Sequence, residues 1–347
     1  MKRSSLIFTA PNQVEVIEEE LSPPAQGEVL IEARLSAISP GTERLIFKGN
    51  APADLSADET LTSLSGGLSF PLRYGYSMVG RVRALGPDVT KDWLDQPVFA
   101  FHPHTSAFTT ETSNLIRLPA NLPIDDGVFL PNMETATNFL QDGAPLIGER
   151  VIVIGQGIVG LLTTSLLRRS AASRVFTLEP VEMRRTLSME AGADSSFDPD
   201  NDSDLKELEH LLEIETESGG ADLIYELSGN PQALNLGLRL AGFSGRVVIG
   251  SWYGTKQAAD LDLGAAFHRQ RLTLKSSQVS TIEPSLRGRW NKARRIALAM
   301  DLLGEIKPSR WVTHRFDLQQ AQQAYQQLED PKAVQILLLY NSEGPAQ

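Results

Sequence analysis

The chain has 347 residues, 41% of them hydrophobic and 22% charged, which is enough length for two cored domains and an ordinary globular composition. Its 32 basic and 43 acidic residues give a net charge of −11, and no Lys/Arg block supplies the phosphate-neutralising surface that a nucleic-acid binder needs. The absence of cysteine excludes disulfides, thiolate nucleophiles and every zinc site that uses Cys, and leaves His102, His104, His210, His268 and His314 as the histidines available to a His/Asp/Glu site.

Residues 1–40 alternate apolar and polar positions in "QVEVIEEE" and "GEVLIEARLSAIS", with the turn signal "SPPAQG" between, and read as strands. The four-residue apolar patch near the N-terminus is too short for a signal-peptide core, and no run of eighteen apolar residues follows, so a cytoplasmic protein without membrane contact is expected. Residues 50–70 are polar, rich in Gly and Ser and aperiodic, and read as a long loop of lid type. Strand-like segments return at 78–85 and 97–101, and "NLIRLPANLP" closes a region of mostly β character.

From Glu149 the pattern becomes strand and helix in alternation. "RVIVIG", "RVFTLE", "ADLIYELSG", "GRVVIGS" and "RLTLKSS" read as strands; "IVGLLTTSLLRRS", "VEMRRTLSMEAGA", "DLKELEHLLEIETES" and "PQALNLGLRLAG" read as helices. Buried apolar strands joined by helices of this length predict a parallel, doubly wound sheet. After Ser280, "RGRWNKARRIALAMDLLGEI" predicts a helix of about five turns. "HRFDLQQAQQAYQQLED" predicts a second helix capped by Asp317, and "KAVQILLLY" a last strand. The densest basic spots, "MRRT" and "RGRWNKARR", read as solvated helix faces. The boundaries drawn from these changes are 1–145, 146–280 and 281–347.

Gly155-Gln156-Gly157-Ile158-Val159-Gly160 stands between a predicted strand and a predicted helix, the context in which G-x-G-x-x-G marks a dinucleotide turn. Gly155 permits the turn, Gly157 lets backbone approach a pyrophosphate, and Gly160 lets the helix lie close to the strand. The helix N-terminus beyond them, with Ile158 and Val159, offers unpaired N–H groups to an anion. Glu179 ends the next strand, where a carboxylate accepts the ribose hydroxyls of NAD and repels a 2′-phosphate. Arg184 and Arg185 weaken that preference and leave NADP open, one of them as a contact to adenine or phosphate; Arg185 reads as solvated. Ser228, Gly229, Gly250 and Ser251 end later strands and are candidates either for the nicotinamide half of the cofactor or for ordinary turn chemistry.

The β-rich start, "VIVIGQGIVGLL", the "AGAD" after the second helix and "THRFDLQQAQQAYQQL" together resemble the medium-chain dehydrogenase/reductase family over nearly the full chain. The resemblance implies an α/β protein: a GroES-like catalytic domain built from both chain ends, a Rossmann domain inserted between them, an active site in the cleft, and a homodimer joined through the sheet edge near residues 270–280. Zinc-type members carry a Cys-Gly-Ser/Thr-Asp and a Gly-His-Glu stretch. Here these match "PGTE" and "GYS", so the ligand positions hold Pro40 and Tyr76, the acid after the histidine is Ser77, and the third ligand falls at Pro131. The four-cysteine lobe of a structural zinc is missing, and no metal is expected. "SAISPGTERLIFKG" and "YGYSMVGRV" are most similar to a smaller branch that includes the bacteriochlorophyllide a dehydrogenases, which implies alcohol/ketone interconversion on a sizeable small-molecule substrate.

Without zinc, aimed hydrogen-bond donors must steady the developing alkoxide. The resemblance places Thr42 at the family's proton-relay hydroxyl and Tyr76 at its histidine ligand; the phenol is either the replacement donor or a plug for the emptied hole. Glu43 matches a supporting acid of the family and is expected to pair with Arg44 or Lys48. His104, with His102 as its neighbour, is a further acid/base candidate at neutral pH. The function expected is a zinc-independent oxidoreductase using NAD. Its rivals are an NADPH-dependent enone or quinone reductase, which Glu179 disfavours, and a nucleotide-binding protein that lost its chemistry.

Overall fold

The computed structural model describes residues 1–56, 66–214, 219–257 and 260–340. The chain runs β1 (Lys2–Ala10), β2 (Gln13–Glu20), β3 (Glu28–Ile38), α1 (Thr42–Phe47), β4 (Met78–Leu85), β5 (Pro97–Ala100), β6 (Ala107–Glu111), β7 (Leu115–Arg117), α2 (Ile124–Gly127) and α3 (Leu130–Gly143). It continues through β8 (Arg150–Ile154), α4 (Ile158–Leu167), β9 (Arg174–Leu178), α5 (Glu182–Ala191), β10 (Ser195–Phe197), α6 (Asp202–Ile214), β11 (Ala221–Glu226), α7 (Ala233–Leu240), β12 (Ala241–Ile249) and β13 (Thr273–Ser276). It closes with α8 (Lys292–Ile306), β14 (Val312–Asp317), α9 (Ala321–Gln327) and β15 (Gln335–Leu339). The middle of the loop read at 50–70 and the end of "HLLEIETES" fall outside the described residues. No helix among the described residues is long and apolar enough to cross a membrane.

Two compact units result, one of residues 1–131 with 300–347, the other of residues 132–299. In the first, β14-β15-β3-β4-β5-β7 form one sheet with β6 also on β3, and β1 pairs antiparallel with β2. Its core gathers Phe8, Ile31, Phe47, Val82, Phe108, Tyr325 and Ile336 from both ends of the sequence. β15 pairs with β3, Leu337 opposite Ala37, which is why residues nearly 300 positions apart share one interior.

In the second unit the strand order is β10-β9-β8-β11-β12-β13, all parallel. That is the doubly wound order 3-2-1-4-5-6 of a dinucleotide-binding sheet. Both faces are covered, as the continuous apolar strands predicted: Val151, Val153, Leu223 and Tyr225 pack on one side, Ile152, Ile154 and Ile224 on the other.

Two helices differ from expectation. The stretch predicted as one helix from residue 287 begins its α-helix only at Lys292, where Asn291 Oδ1 accepts the Arg294 N–H at 2.9 Å and caps it. The stretch expected as one capped helix from His314 is first strand β14, whose residues 312–317 alternate in exposure, and only then helix. Asp317 does cap the turn that follows, reciprocally with Gln320.

Candidate functional site

Pairing across the parallel sheet puts Leu178, Ile154, Glu226, Ile249 and Ser276 in one register row. Each strand therefore ends at the same level, and the residues after the row leave from one edge. Those residues are Glu179, the Gly155–Gly160 turn, Ser228 and Gly229, Gly250 and Ser251, and Ser277. Ligands of open α/β sheets bind beyond this carboxyl edge.

The turn shows why its glycines are needed. Gly155 has φ +92°, and a Cβ there would lie 2.6 Å from the Ser228 backbone. A Cβ on Gly160 would lie 2.0 Å from the Gly155 carbonyl oxygen, so α4 could not start where it does. A Cβ on Gly157 would meet nothing within 4 Å, so there the backbone is open for approach. Buried Gln156 steadies the turn from inside: its Nε2 donates to the Gly155 carbonyl at 3.2 Å and its Oε1 accepts from Thr164 Oγ1 at 3.1 Å. Ile158 and Val159 begin α4, with Gly157 as its cap.

Glu179 is 3% exposed, and its two carboxylate oxygens accept the backbone N–H groups of Gln156 at 2.8 Å and Val181 at 3.1 Å. Each oxygen keeps capacity for a second donor. Arg184 is half-buried on the first turn of α5. Arg185 corrects the expectation of a solvated side chain: its guanidinium donates to the carbonyls of Glu179 and Pro180, both at 2.8 Å, and to Asp198 at 3.1 Å. It braces the strand end that carries Glu179.

At the next strand ends, turn chemistry dominates. Ser228 donates through its N–H (2.8 Å) and its hydroxyl to Glu226, which is fully buried and also accepts from Tyr253. Gly229 N–H donates to Ser251 Oγ at 2.8 Å. A Cβ on Gly250 would lie 2.3 Å from Phe139, so that glycine is required by packing. Glu226 was missed in the sequence because "YELSG" reads as the polar end of an apolar strand and only the fold turns its carboxylate inward.

The first unit gathers a buried polar network around Glu43. Its Oε1 accepts from Ser39 N–H at 2.9 Å; its Oε2 lies 2.9 Å from His104 Nε2 and accepts from Tyr325 OH. His104 Nδ1 lies 2.6 Å from Ser36 Oγ, which lies 2.8 Å from Tyr340 OH. Burial, reinforced by the Glu43 carboxylate, pushes both phenols well above their ordinary range, so both remain donors. Every donor then meets an acceptor when His104 carries its proton on Nε2.

Tyr76, half-buried, donates its hydroxyl to Ser39 Oγ at 2.7 Å, and the same oxygen accepts Thr42 N–H at 3.3 Å. The fold thus brings Tyr76 and Thr42 to one hydroxyl, and Ser39, which motif comparison passed over, is the link. Gly75 makes this approach feasible: it has φ +123°, and a Cβ there would lie 2.7 Å from the His104 ring.

Three expectations change here. Glu43 does not pair with Arg44 or Lys48, which instead meet Glu329 at 3.0 and 3.2 Å; α1 turns Glu43 inward and the two cations outward. His104 is 1% exposed with both ring nitrogens engaged, so it holds Glu43 and presents no nitrogen for acid/base work on a ligand. His102 stacks on Phe108 at 3.8 Å with Nδ1 2.8 Å from the Pro103 carbonyl, and burial brings its pKa down to about 4.

The sequence model of the family described as zinc-binding dehydrogenase matches residues 159–298. D-guloside 3-dehydrogenase of Escherichia coli K12 is 25% identical over 301 residues, covering 83% of this chain and 85% of the relative. L-threonine 3-dehydrogenase of Pyrococcus furiosus is 25% identical over 292 residues, covering 75% of this chain and 79% of the relative. The crystal structure of an alcohol dehydrogenase from E. coli CFT073 complexed with NADH superposes with a TM-score of 0.76 at 20% identity, over 97% of this chain and 99% of that one. Residues 159–298 thus match the zinc-binding dehydrogenase family, and most of the chain is similar to curated dehydrogenases. Its fold is the GroES-like and Rossmann combination of the alcohol dehydrogenases, as the motifs implied.

The residues at the positions that resemble the family's zinc-ligand stretches do not fit the metal. Pro40 and Pro131 have no side-chain donor, and Tyr76 spends its hydroxyl on Ser39. Glu43 and His104 lie near but are bound to each other inside the core. Among the described residues, no group of three or more His, Asp or Glu is placed to hold a metal.

Proposed function

We propose that the protein is a cytoplasmic oxidoreductase that interconverts an alcohol and a carbonyl on a sizeable small molecule, using NAD(H) and no zinc. The observation that carries this reading is the register row Leu178–Ile154–Glu226–Ile249–Ser276, because it delivers the glycine turn and Glu179 to one sheet edge. The backbone at Gly157 and the first N–H groups of α4 would hold the pyrophosphate. Glu179 would take the adenosine ribose hydroxyls and disfavour NADPH, while Arg184 is the residue that leaves NADPH open. Ser228, Gly229, Gly250 and Ser251 would shape the nicotinamide end. A nicotinamide bound there supplies or takes the hydride.

Tyr76 and Thr42 would bind the substrate oxygen. As negative charge develops on that oxygen, the phenol would turn its one O–H from Ser39 Oγ to it and hand over the proton, taking it back when the alcohol is oxidised. Ser39 orients it: a hydroxyl that already accepts two hydrogen bonds fixes where the phenol sits. Edge strand β13 would join two copies into a homodimer.

Fluorescence titration with NADH and NADPH comes first, and tighter NADH is expected. Failure of both at millimolar concentration sinks the whole reading. Next, Tyr76→Phe should lower turnover by about 100-fold on a carbonyl panel; unchanged turnover would make Tyr76 a plug. Cofactor binding without hydride transfer to any carbonyl or enone would favour a binding protein. Metal analysis near one zinc per chain would refute the zinc-free part.

A further inference from the structure

One buried ion pair in the second unit has no part in the reading above. Arg295, on the first turn of α8, is fully buried, and Glu134, on α3, is 3% exposed. The guanidinium has five N–H donors. Nε and Nη2 donate to Glu134 Oε1 at 3.1 and 2.9 Å; Nη1 donates to Asn138 Oδ1 and to the Thr281 carbonyl at 2.9 Å; Nη2 also donates to the Val279 carbonyl. All five are spent, two of them on the backbone of one short segment.

That segment, residues 277–281, is what leaves the carboxyl edge of the sheet after Ser276, the last member of the register row. Its first residue is pinned too. Ser277 N–H donates to the Ile249 carbonyl at 2.9 Å, Ser277 Oγ donates to Asp142, and Asn138 Nδ2 reaches Ser277 Oγ at 2.9 Å. α3 and α8 therefore grip the segment from behind. With the Val279 and Thr281 carbonyls drawn inward, the course of the segment along the ligand-binding edge is set by Arg295.

A buried ion pair is a poor way to obtain stability, since apolar side chains of the same volume serve as well or better. Arginine suits a different task, holding several oxygens in one fixed plane. We propose that Arg295, seated by Glu134, is a positioning residue that shapes residues 277–281 for the nicotinamide half of the cofactor. This rests on the reading of the sheet edge as a nicotinamide-nucleotide site. A lysine has the charge but three donors on a single atom, so it cannot hold Glu134, Asn138 and two carbonyls together.

The test compares two ligands on the full chain. ADP-ribose has the adenine, riboses and pyrophosphate of NADH and lacks the nicotinamide. Arg295→Lys, and the charge-free double variant Arg295→Met/Glu134→Leu, are titrated with both by calorimetry, beside thermal melts. The double variant leaves no unpaired buried charge and keeps the test available if the single variant fails to fold. We expect NADH affinity to fall at least tenfold in each folded variant while ADP-ribose affinity stays within twofold. Unchanged NADH affinity in the folded double variant overturns the proposal, as does equal weakening of both ligands, which would mark a purely structural pair. Wild-type protein that binds neither ligand removes the underlying site reading instead.

Discussion

Glu43 in the first unit and Glu134 in the second are both withdrawn from water, yet their partners differ in kind. Glu43 is satisfied by a backbone N–H, an imidazole and a phenol, in a network that continues through Ser36 to Tyr340. Glu134 faces a guanidinium whose every donor is used. A carboxylate shared among several donors can lose one of them and keep the others. A charge pair cannot, because removal of one partner strands the other charge. The first arrangement suits a region where metal-ligand positions carry other side chains; the second suits a segment that must stay in one place.

The largest effect expected from this contrast is that of Glu134→Leu, which leaves the Arg295 charge buried and unpaired. It should cost about 3–5 kcal/mol in urea unfolding of the second unit, followed by amide exchange in α3. A loss under about 1 kcal/mol would show that Arg295 finds water or another acid.

His102 offers the next test. Its folded pKa of about 4 lies below the usual value of 6.5, so the unfolded chain binds the proton first as pH falls. Stability is therefore full above pH 6.5 and declines as pH drops toward 4, by about 2–3 kcal/mol. His102→Phe keeps a ring against Phe108 and should flatten the melting temperature over that window; an unchanged slope would locate the sensitivity elsewhere.

Glu43→Gln should be milder than Glu134→Leu, about 1–2 kcal/mol, since the amide oxygen still accepts from part of the network. Losses as large as those at Glu134 would break the comparison. The smallest effect belongs to the surface. Arg73 hydrogen-bonds Glu19 and holds its carboxyl at about 2, so the pair stabilises above the unfolded carboxylate range and loses its effect as pH falls toward 2. With Arg73 39% exposed, Arg73→Met should cost less than about 1 kcal/mol at pH 7 and nothing near pH 2, measured by paired melts.

Much of the second unit was legible in the sequence because its rules are local. Apolar runs such as "RVIVIG" are buried on both faces wherever they pair in a parallel sheet, and Gly155, Gly157 and Gly160 act within one turn. His314 to Asp317 were misread as helix because a strand of alternating exposure, followed directly by a capped turn, mimics helical spacing in a short window. Tyr76 and Thr42 were visible by their place in a motif. Ser39 between them was not, nor was the inward turn of Glu43, because α1 decides which face meets the core.

Residue identities alone set the chemistry on offer. The chain has no thiolate, it has prolines and a tyrosine in the stretches that resemble the family's zinc-ligand motifs, and it has a glycine turn followed one strand later by an acid. Tertiary structure alone decided which groups do the work. His104 is a brace because Ser36 and Glu43 engage its two ring nitrogens, and Arg295 is a clamp because α3, α8 and the end of β13 converge on it. Hydrogen bonds between groups 60 to 300 positions apart have no local signature, so only the folded chain could reveal them.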